Sequence, residues 1–310
     1  MKNNCLSCLK PSDNKTYHPK CLKSLFGKSR VPLIPFGTAE VPGQALKTNM
    51  RMSISGIQMK LSVRIDPETW RVETVSEGGT HILKPEPGTF AELPHNENLC
   101  MNMASTLGLN VPPHGLFAMA DGTFCYIVKR FDRLENGKKL PKETFFQISG
   151  QENKYAGSLE SLGKIIRLHA TRTGLDALDF FERVLFCYLI GNGDMHQKNW
   201  ALLTDPQRVI KLAPCYDFVS SKVYLPDESD SALTVNGKHH GLTRKDFEVL
   251  ATSLRIDPKA SQFTFKKFSS TLERLITFAQ TSTLSPVLRE KLIGLIQERH
   301  RRLFTTLKEG

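Results

Sequence analysis

No apolar run in this 310-residue chain is long enough to cross a membrane as a helix, and its first five residues, Met1 to Cys5, lack a signal-peptide apolar core. A cytoplasmic protein with no membrane partner is the expectation. Cysteine is scarce and odd in number, seven in all, and its spacing is not that of a secreted disulfide framework. A reducing compartment fits that usage. No segment repeats, and no helix-turn-helix or basic recognition helix stands out, so direct DNA binding by this chain is not expected. The G-x-G-x-x-G of many nucleotide-binding proteins is also missing. Acidic residues are in deficit, 31 against 42 Lys and Arg, for a formal charge of +11. The basic residues are spread along the chain, with a denser run at Arg299, Arg301 and Arg302. Such a balance suits either a nucleic-acid or nucleic-acid-enzyme partner, or a solvated basic face plus groups that handle phosphate. The length suffices for one bilobal unit or two domains.

The most informative residues present are Gly191-Asn-Gly-Asp-Met-His-Gln-Lys-Asn199 and, shortly after, Tyr216-Asp217-Phe218. An Asp, an Asn five positions on and a second downstream Asp are the parts that ATP-dependent phosphotransfer needs. Asp194 can accept the proton of an attacking hydroxyl, while Asn199 and Asp217 can hold magnesium against the triphosphate. Leu178, Phe181, Leu185 and Leu189 predict a buried helix over 176–190, which Gly191 and Gly193 end. Two short apolar runs, 200–203 and 209–212, flank the turn-like Thr204-Asp-Pro-Gln207 and predict a hairpin.

Upstream, Arg51-Met-Ser-Ile-Ser-Gly-Ile-Gln-Met-Lys60 leads into alternating Leu61, Val63 and Ile65, a turn at Asp66-Pro67-Glu68 and a second run over 70–72. A small Ser/Gly loop opening a hairpin suits close backbone approach to phosphates, and equally a plain turn. Thr80-His-Ile-Leu-Lys84 reads as a strand ending in a lysine, and 94–107 as a helix stopped by Gly108, with Glu97 in its first turn. Glu97 there can pair with Lys84 or simply favour the helix N-terminus. Phe124 to Val128 is a further strand, running into Lys129-Arg-Phe-Asp-Arg133, a hinge candidate. The region from Glu143 onward reads as mainly helical, apart from the Asp194 segment and a loop over 222–241.

At the start, Cys5-Leu-Ser-Cys8 and His18-Pro-Lys-Cys21 offer three thiolates and an imidazole, enough for a tetrahedral zinc site. The alternative is a set of small residues packed on the main body. Residues 31–50, rich in Pro and Gly, read as a linker.

Taken in order, Ser53-Ile-Ser55-Gly56, Ile82-Leu-Lys84, Val128-Lys-Arg-Phe-Asp-Arg133, the 191–199 loop, Tyr216-Asp217 and Val235-Asn-Gly-Lys238 resemble HipA-type serine/threonine kinases, toxins of bacterial toxin–antitoxin pairs. The Ser-x-Ser pair makes the short HipT branch the nearest likeness. The resemblance runs from about residue 50 onward and implies an α+β, bilobal, protein-kinase-like fold. Its β-rich N-lobe would span 51–133 and its helical C-lobe 134–310, after a 1–50 Cys/His-containing extension. It implies ATP and magnesium as cofactors, zinc being a separate expectation.

Position by position, the resemblance makes Asp194 the base, His196 the catalytic-loop histidine, and Asn199 and Asp217 the magnesium ligands. Lys84 would be the phosphate lysine, and Lys129 and Phe131 part of the adenine hinge. Gln58, Gly56 and Lys198 join the nucleotide-contacting set, with Ser53 and Ser55 also sites of autophosphorylation. The implied partners are a small protein like the HipA N-terminal subdomain, a helix-turn-helix antitoxin that carries operator DNA, and an aminoacyl-tRNA synthetase as substrate. Val219 follows Phe218 where ordinary kinases have Gly, and Gly193 precedes Asp194 where they have Arg. Rival readings are a small-molecule kinase of the aminoglycoside or choline type and an idle ATP-binding scaffold.

Overall fold

The computed structural model describes residues 4–13, 15–47, 58–134 and 137–305. It divides into two compact units: 1–102 with 111–139 and 281–284, and 103–110 with 140–280 and 285–310.

The first unit is built on one five-stranded sheet. Helices α1 (Pro19–Phe26) and α2 (Val41–Lys47) come first, then β1 (Leu61–Ile65), β2 (Val72–Thr74) and β3 (His81–Pro85). Helix α3 (Leu93–Thr106) follows, with the division between units falling inside it, and then β4 (His114–Ala118) and β5 (Phe124–Lys129). All pairings are antiparallel, in the order β2-β1-β3-β5-β4. Leu61, Val63, Val72, Leu83, Cys125 and Ile127 line one core with Leu22, Leu25, Ile34, Phe36, Val41 and Ala45. Residues 31–47 are therefore no linker: spaced apolar side chains among the prolines anchor them on the sheet. Leu33 also pairs with the sheet, donating to no strand of its own but to the carbonyl of Trp70 (3.0 Å), while its carbonyl accepts from Val72 (2.8 Å).

Two histidines lie inside this unit. His81 on β3 and His114 on β4 are each lowered to about 4, burial being the leading cause. Between about pH 6.5 and 4 the unfolded chain binds protons that the folded chain excludes, so stability falls as pH falls through that window. The expected loss is on the order of 1–3 kcal/mol per histidine. Urea unfolding followed by the fluorescence of buried Trp70 should show a lower midpoint at pH 5 than at pH 7.5; an unchanged midpoint would contradict the neutral burial of both rings.

The second unit holds β6 (Lys142–Thr144), α4 (Phe145–Ser149), α5 (Leu159–His169), α6 (Thr173–Leu189), β7 (Ala201–Thr204) and β8 (Ile210–Leu212). It closes with α7 (Arg244–Ser253), α8 (Pro258–Ser269), α9 (Leu272–Gln280) and α10 (Pro286–Phe304). The small sheet runs β6-β7-β8, antiparallel throughout. Helix α6 is its pillar: Phe180, Phe181, Leu185, Phe186 and Leu189 are wholly buried. Two polar side chains tie α6 to the strand that leads toward Asp217. Asp176 accepts from the Leu212 amide (2.8 Å), and buried Arg183 donates to the Ala213 carbonyl (2.6 Å) while gripping Asp179.

The basic run near the C-terminus is only partly on the surface: Arg301 and Arg302 are exposed and Arg299 is buried. Arg299 is 1% exposed, paired with Asp230 at 2.5 Å and stacked 4.3 Å over the Tyr188 ring. Arg302 reaches the same Asp230 at 3.2 Å and also pairs with Glu298. Arg299 spends its charge inside the unit, whereas Arg302 stays exposed at the surface with its charge shared between Asp230 and Glu298. No described helix is long and apolar enough to cross a membrane.

Candidate active site

The second unit places Asp194 in a loop fixed from several directions. The turn begins where α6 ends: Asn192 donates its amide to the Cys187 carbonyl (2.9 Å), with Gly191 at φ +67°. Gly191 has no room for a side chain, since a Cβ would stand 2.3 Å from Leu295 Cδ2. Gly193 is as confined: its amide donates to Ser221 Oγ (2.9 Å), and a Cβ would lie 2.4 Å from Glu228 Oε2 and 2.5 Å from the Ser229 carbonyl. This close packing accounts for glycine at this position. Gly193→Ala is expected to cost about 1–3 kcal/mol in chemical unfolding, since backbone as well as side chain must move. A variant as stable as wild type would show that the loop yields freely.

Beyond it, the loop closes on itself. The His196 amide donates to the Asp194 carbonyl (2.8 Å), and Asn199 Nδ2 donates to that same carbonyl (3.1 Å). With its nitrogen so used, the Asn199 side chain keeps its oxygen for a cation. Tyr155 donates its phenol to Asp194 Oδ1 at 2.9 Å and packs edge-on against His196, ring centroids 5.3 Å apart. Tyr155 is 43% exposed; partial desolvation of its phenol, and then the Asp194 charge, raise its pKa above that of a free tyrosine. Tyr155 is in turn placed by Gln197, whose side chain donates to Ala156 O and accepts from Ser149, and whose amide donates to Lys154 O (3.1 Å).

His196 is 5% exposed, and burial lowers its basicity although Asp194 opposes the shift. The shift favours the neutral imidazole, whose ring packs edge-on against Tyr155. Glu228 shifts upward, first through burial and further through the charge of Asp194, against a hydrogen bond from Ser221 Oγ (2.5 Å). Asp217 adopts φ +57°, a left-handed conformation uncommon for a non-glycine residue. It is flanked by Tyr216, whose hydroxyl donates to the Lys198 carbonyl (3.0 Å), and by Phe218, 1% exposed against Phe186. Phe218 is thus a core residue. Lys198 is exposed, its ammonium 4.7 Å from the Phe146 ring. The Val235-Asn-Gly-Lys238 segment is held by Asp246, which accepts from Asn236 (2.9 Å) and Lys238 (2.8 Å).

The first unit carries the lysine pair. Lys84 Nζ on β3 meets Glu97 Oε1 on α3 at 2.5 Å, the two residues 3% and 1% exposed. The choice left open by sequence falls to pairing over a simple helix-terminus role. Gln58 donates to the Pro85 carbonyl (3.0 Å), next to Lys84. In the hinge candidate, Arg130 grips Asp132 with two bonds (3.0 and 2.8 Å) and Arg133 adds a third contact (2.9 Å). Lys129 and Phe131 are half-buried beside them. Ser53, Ser55 and Gly56 lie outside the described residues. Cys5, Cys8, His18 and Cys21 come together, their ligand atoms all within 4.8 Å of one another.

Tyr155, Gln197, Ser221 and Glu228 escaped sequence reasoning. Gln197 lies within the 191–199 motif but carried no expected role, the other three lie at no motif spacing, and only the folded backbone brings 149–156 and 221–228 against the 191–199 loop. A carboxylate, a carboxamide oxygen and a second carboxylate are hard oxygen donors, the set that suits magnesium over a soft metal.

The HipA-like C-terminal domain family matches residues 52–276. A Haemophilus influenzae protein, provisionally designated a kinase, is 30% identical over 235 residues, covering 72% of this chain and 64% of its own length. The serine/threonine-protein kinase toxin HipA of Shewanella oneidensis is 26% identical over 213 residues, 60% of this chain and 47% of that protein. The chain thus spans about half to just under two thirds of the length of these curated relatives. Among solved structures, HipA from the Shewanella oneidensis complex of HipA, HipB and operator DNA aligns with TM-score 0.69 at 19% identity, over 87% of this chain and 71% of that one. The Helicobacter pylori proinflammatory kinase CtkA aligns with TM-score 0.51 at 17% identity, over 72% of this chain and 86% of that one. These likenesses give a mixed fold with a sheet-rich and a helical part. With a match across most of its length, this chain belongs to the HipA-like C-terminal domain family.

Proposed function

We propose that the chain is a magnesium-dependent serine/threonine protein kinase acting as the toxin of a toxin–antitoxin system. The carrying observation is the fixed Asp194: one carboxylate oxygen is held by Tyr155, and its own carbonyl binds Asn199. A carboxylate so oriented accepts the proton of a serine hydroxyl as that oxygen bonds to the γ-phosphorus of ATP and the bond from that phosphorus to the β–γ bridging oxygen breaks, releasing ADP. Lys84, aimed by Glu97, binds the α- and β-phosphates of the substrate nucleotide. Asn199 and Asp217 would hold magnesium, which offsets the charge on the triphosphate. His196 stays neutral and braces Tyr155.

The HipA relative bears the name of a serine/threonine kinase toxin, and its solved complex contains HipB and operator DNA. By analogy, the reading extends to a helix-turn-helix antitoxin, a small partner like the HipA N-terminal subdomain, and a translation enzyme such as an aminoacyl-tRNA synthetase as substrate. By the same resemblance Ser53 and Ser55 belong to the nucleotide-contacting set, and a phosphate on either would add roughly −1.5 to −2 charges there. Repulsion against ATP would then shut the enzyme down.

The experiment is incubation of the purified chain with γ-labelled ATP, magnesium and cell extract, with phosphosites mapped by mass spectrometry. Phosphoserine on an extract protein and on Ser53 or Ser55 is expected. Label confined to small amines or sugar alcohols would replace this reading with the small-molecule kinase. ATP binding without transfer would replace it with the scaffold.

A further inference from the structure

We propose that Cys5, Cys8, His18 and Cys21 bind one structural zinc ion, and that the knuckle it closes clamps α3, the helix that carries Glu97. Among the described residues these four form the one cluster of metal-capable side chains of its kind. His18 Nδ1 lies 3.3 Å from Cys8 Sγ and 3.8 Å from Cys21 Sγ. Zinc bonds of about 2.3 Å to sulfur and 2.0–2.1 Å to nitrogen give a tetrahedron with edges of roughly 3.5–3.8 Å, close to the two His18 edges and within reach of a set whose ligand atoms all lie within 4.8 Å.

The imidazole is set for the role. Its Nε2 is 3.0 Å from the Pro11 carbonyl. A carbonyl only accepts, so Nε2 carries the hydrogen and Nδ1 turns its lone pair toward the sulfurs. A backbone oxygen on the far ring nitrogen is the usual means of fixing a zinc-bound histidine. All three cysteines are free thiols, which leaves the cluster without a covalent tie of its own. The first turn is tight: Leu9 takes φ +55° and donates its amide to the Cys5 carbonyl (2.8 Å). So short a segment, with little apolar material, needs a ligand to hold that shape.

The knuckle is joined to the rest of the unit through the residues between its first two cysteines. The Leu6 carbonyl accepts from Asn98 Nδ2 (3.2 Å) and from the Leu116 amide of edge strand β4 (3.1 Å). The Ser7 carbonyl accepts from Asn102 Nδ2 (2.8 Å), and Ser7 Oγ donates to the His114 carbonyl (2.5 Å). Gly115 makes room for this contact, since a Cβ there would stand 3.0 Å from Ser7 Cα. Asn98 and Asn102 are one helical turn apart on α3, both buried, and Asn98 adjoins Glu97. If the knuckle opens, these amides lose partners inside the core, and the strain falls on the helix that positions Glu97 toward Lys84.

The test uses the full chain under reducing conditions and does not depend on kinase activity. Elemental analysis should give one zinc per chain. Cobalt added to chelator-stripped protein should produce the visible bands of a tetrahedral thiolate site. Hydrogen exchange across 93–106 should quicken roughly tenfold or more on stripping and return with zinc, while α6 in the other unit stays unchanged. Cys8→Ser and Cys21→Ser should each lose the zinc. Should either variant fail to fold, the stripped and restored wild type answers the same question. Asn102→Ala should keep the zinc yet quicken exchange in α3. A folded chain with no zinc and no cobalt bands overturns the site, as does full zinc in both cysteine variants. Unchanged exchange over 93–106 after stripping overturns the clamp.

Discussion

Replacing Lys84 with Met should destabilise the first unit by about 3–5 kcal/mol, because it leaves the buried Glu97 carboxylate without the ammonium that now faces it at 2.5 Å. The side chains are 4% and 2% exposed, so solvent screens the pair very little. An exposed ion pair would be worth a kilocalorie at most. Glu97→Gln should cost less than Lys84→Met, since the amide still accepts a hydrogen bond from the ammonium. Lys84→Met combined with Glu97→Leu should recover much of the loss, because replacing both charges by apolar groups removes the need to desolvate either. Guanidinium unfolding read at Trp70, in a Trp200→Phe background, checks all four proteins. A loss below 1 kcal/mol for Lys84→Met would show that water reaches the pair. Under the proposed function the same substitution also weakens ATP binding, which the double variant would not restore.

Asp194→Ala should lower phosphoryl transfer by about 10²–10⁴-fold, the range that a positioned general base supplies, and should leave the fold intact. Asp194 is only half-buried, and its structural bonds run through the backbone carbonyl that accepts from His196 and Asn199. Alanine keeps that carbonyl. Tyr155→Phe should cost far less, because it frees the carboxylate to rotate without removing it. Initial rates at saturating ATP, with circular dichroism as the control for folding, separate the two. Equal rates in wild type and Asp194→Ala would dismiss this carboxylate as the base. Removing the Asp194 charge should also lower the proton affinity of Glu228, whose upward shift owes part of its size to that charge.

Several elements could be read from residues alone. Spaced apolar positions announced α6, the β7–β8 hairpin and α3, and each lies within a few residues of its expected place. Glycines marked the ends of α6 and α3 because the chain turns left-handed there, at φ +67° for Gly191 and +84° for Gly108. Other parts were hidden. Strand β4 is short, with His114 and Gly115 at its start, and it gains its place from pairing with β5. The stretch 31–47 hid its anchoring role behind proline and glycine, since Ile34, Phe36 and Val41 follow no single period. The environment of Asp194 was hidden for a deeper reason. Tyr155 lies 39 residues away in sequence and meets it only through the bonds of Gln197 to the 154–156 backbone.

The central claim is that Asp194 serves magnesium-dependent phosphoryl transfer. Its most direct test is the rate at which γ-label leaves ATP for protein serine, measured on wild type and Asp194→Ala with magnesium and after chelation. Label on serine is expected in wild type with magnesium, lowered about 10²–10⁴-fold in Asp194→Ala and falling to background in both proteins on chelation. Undiminished label in Asp194→Ala, or no transfer from wild type with magnesium and extract supplied, would contradict that role.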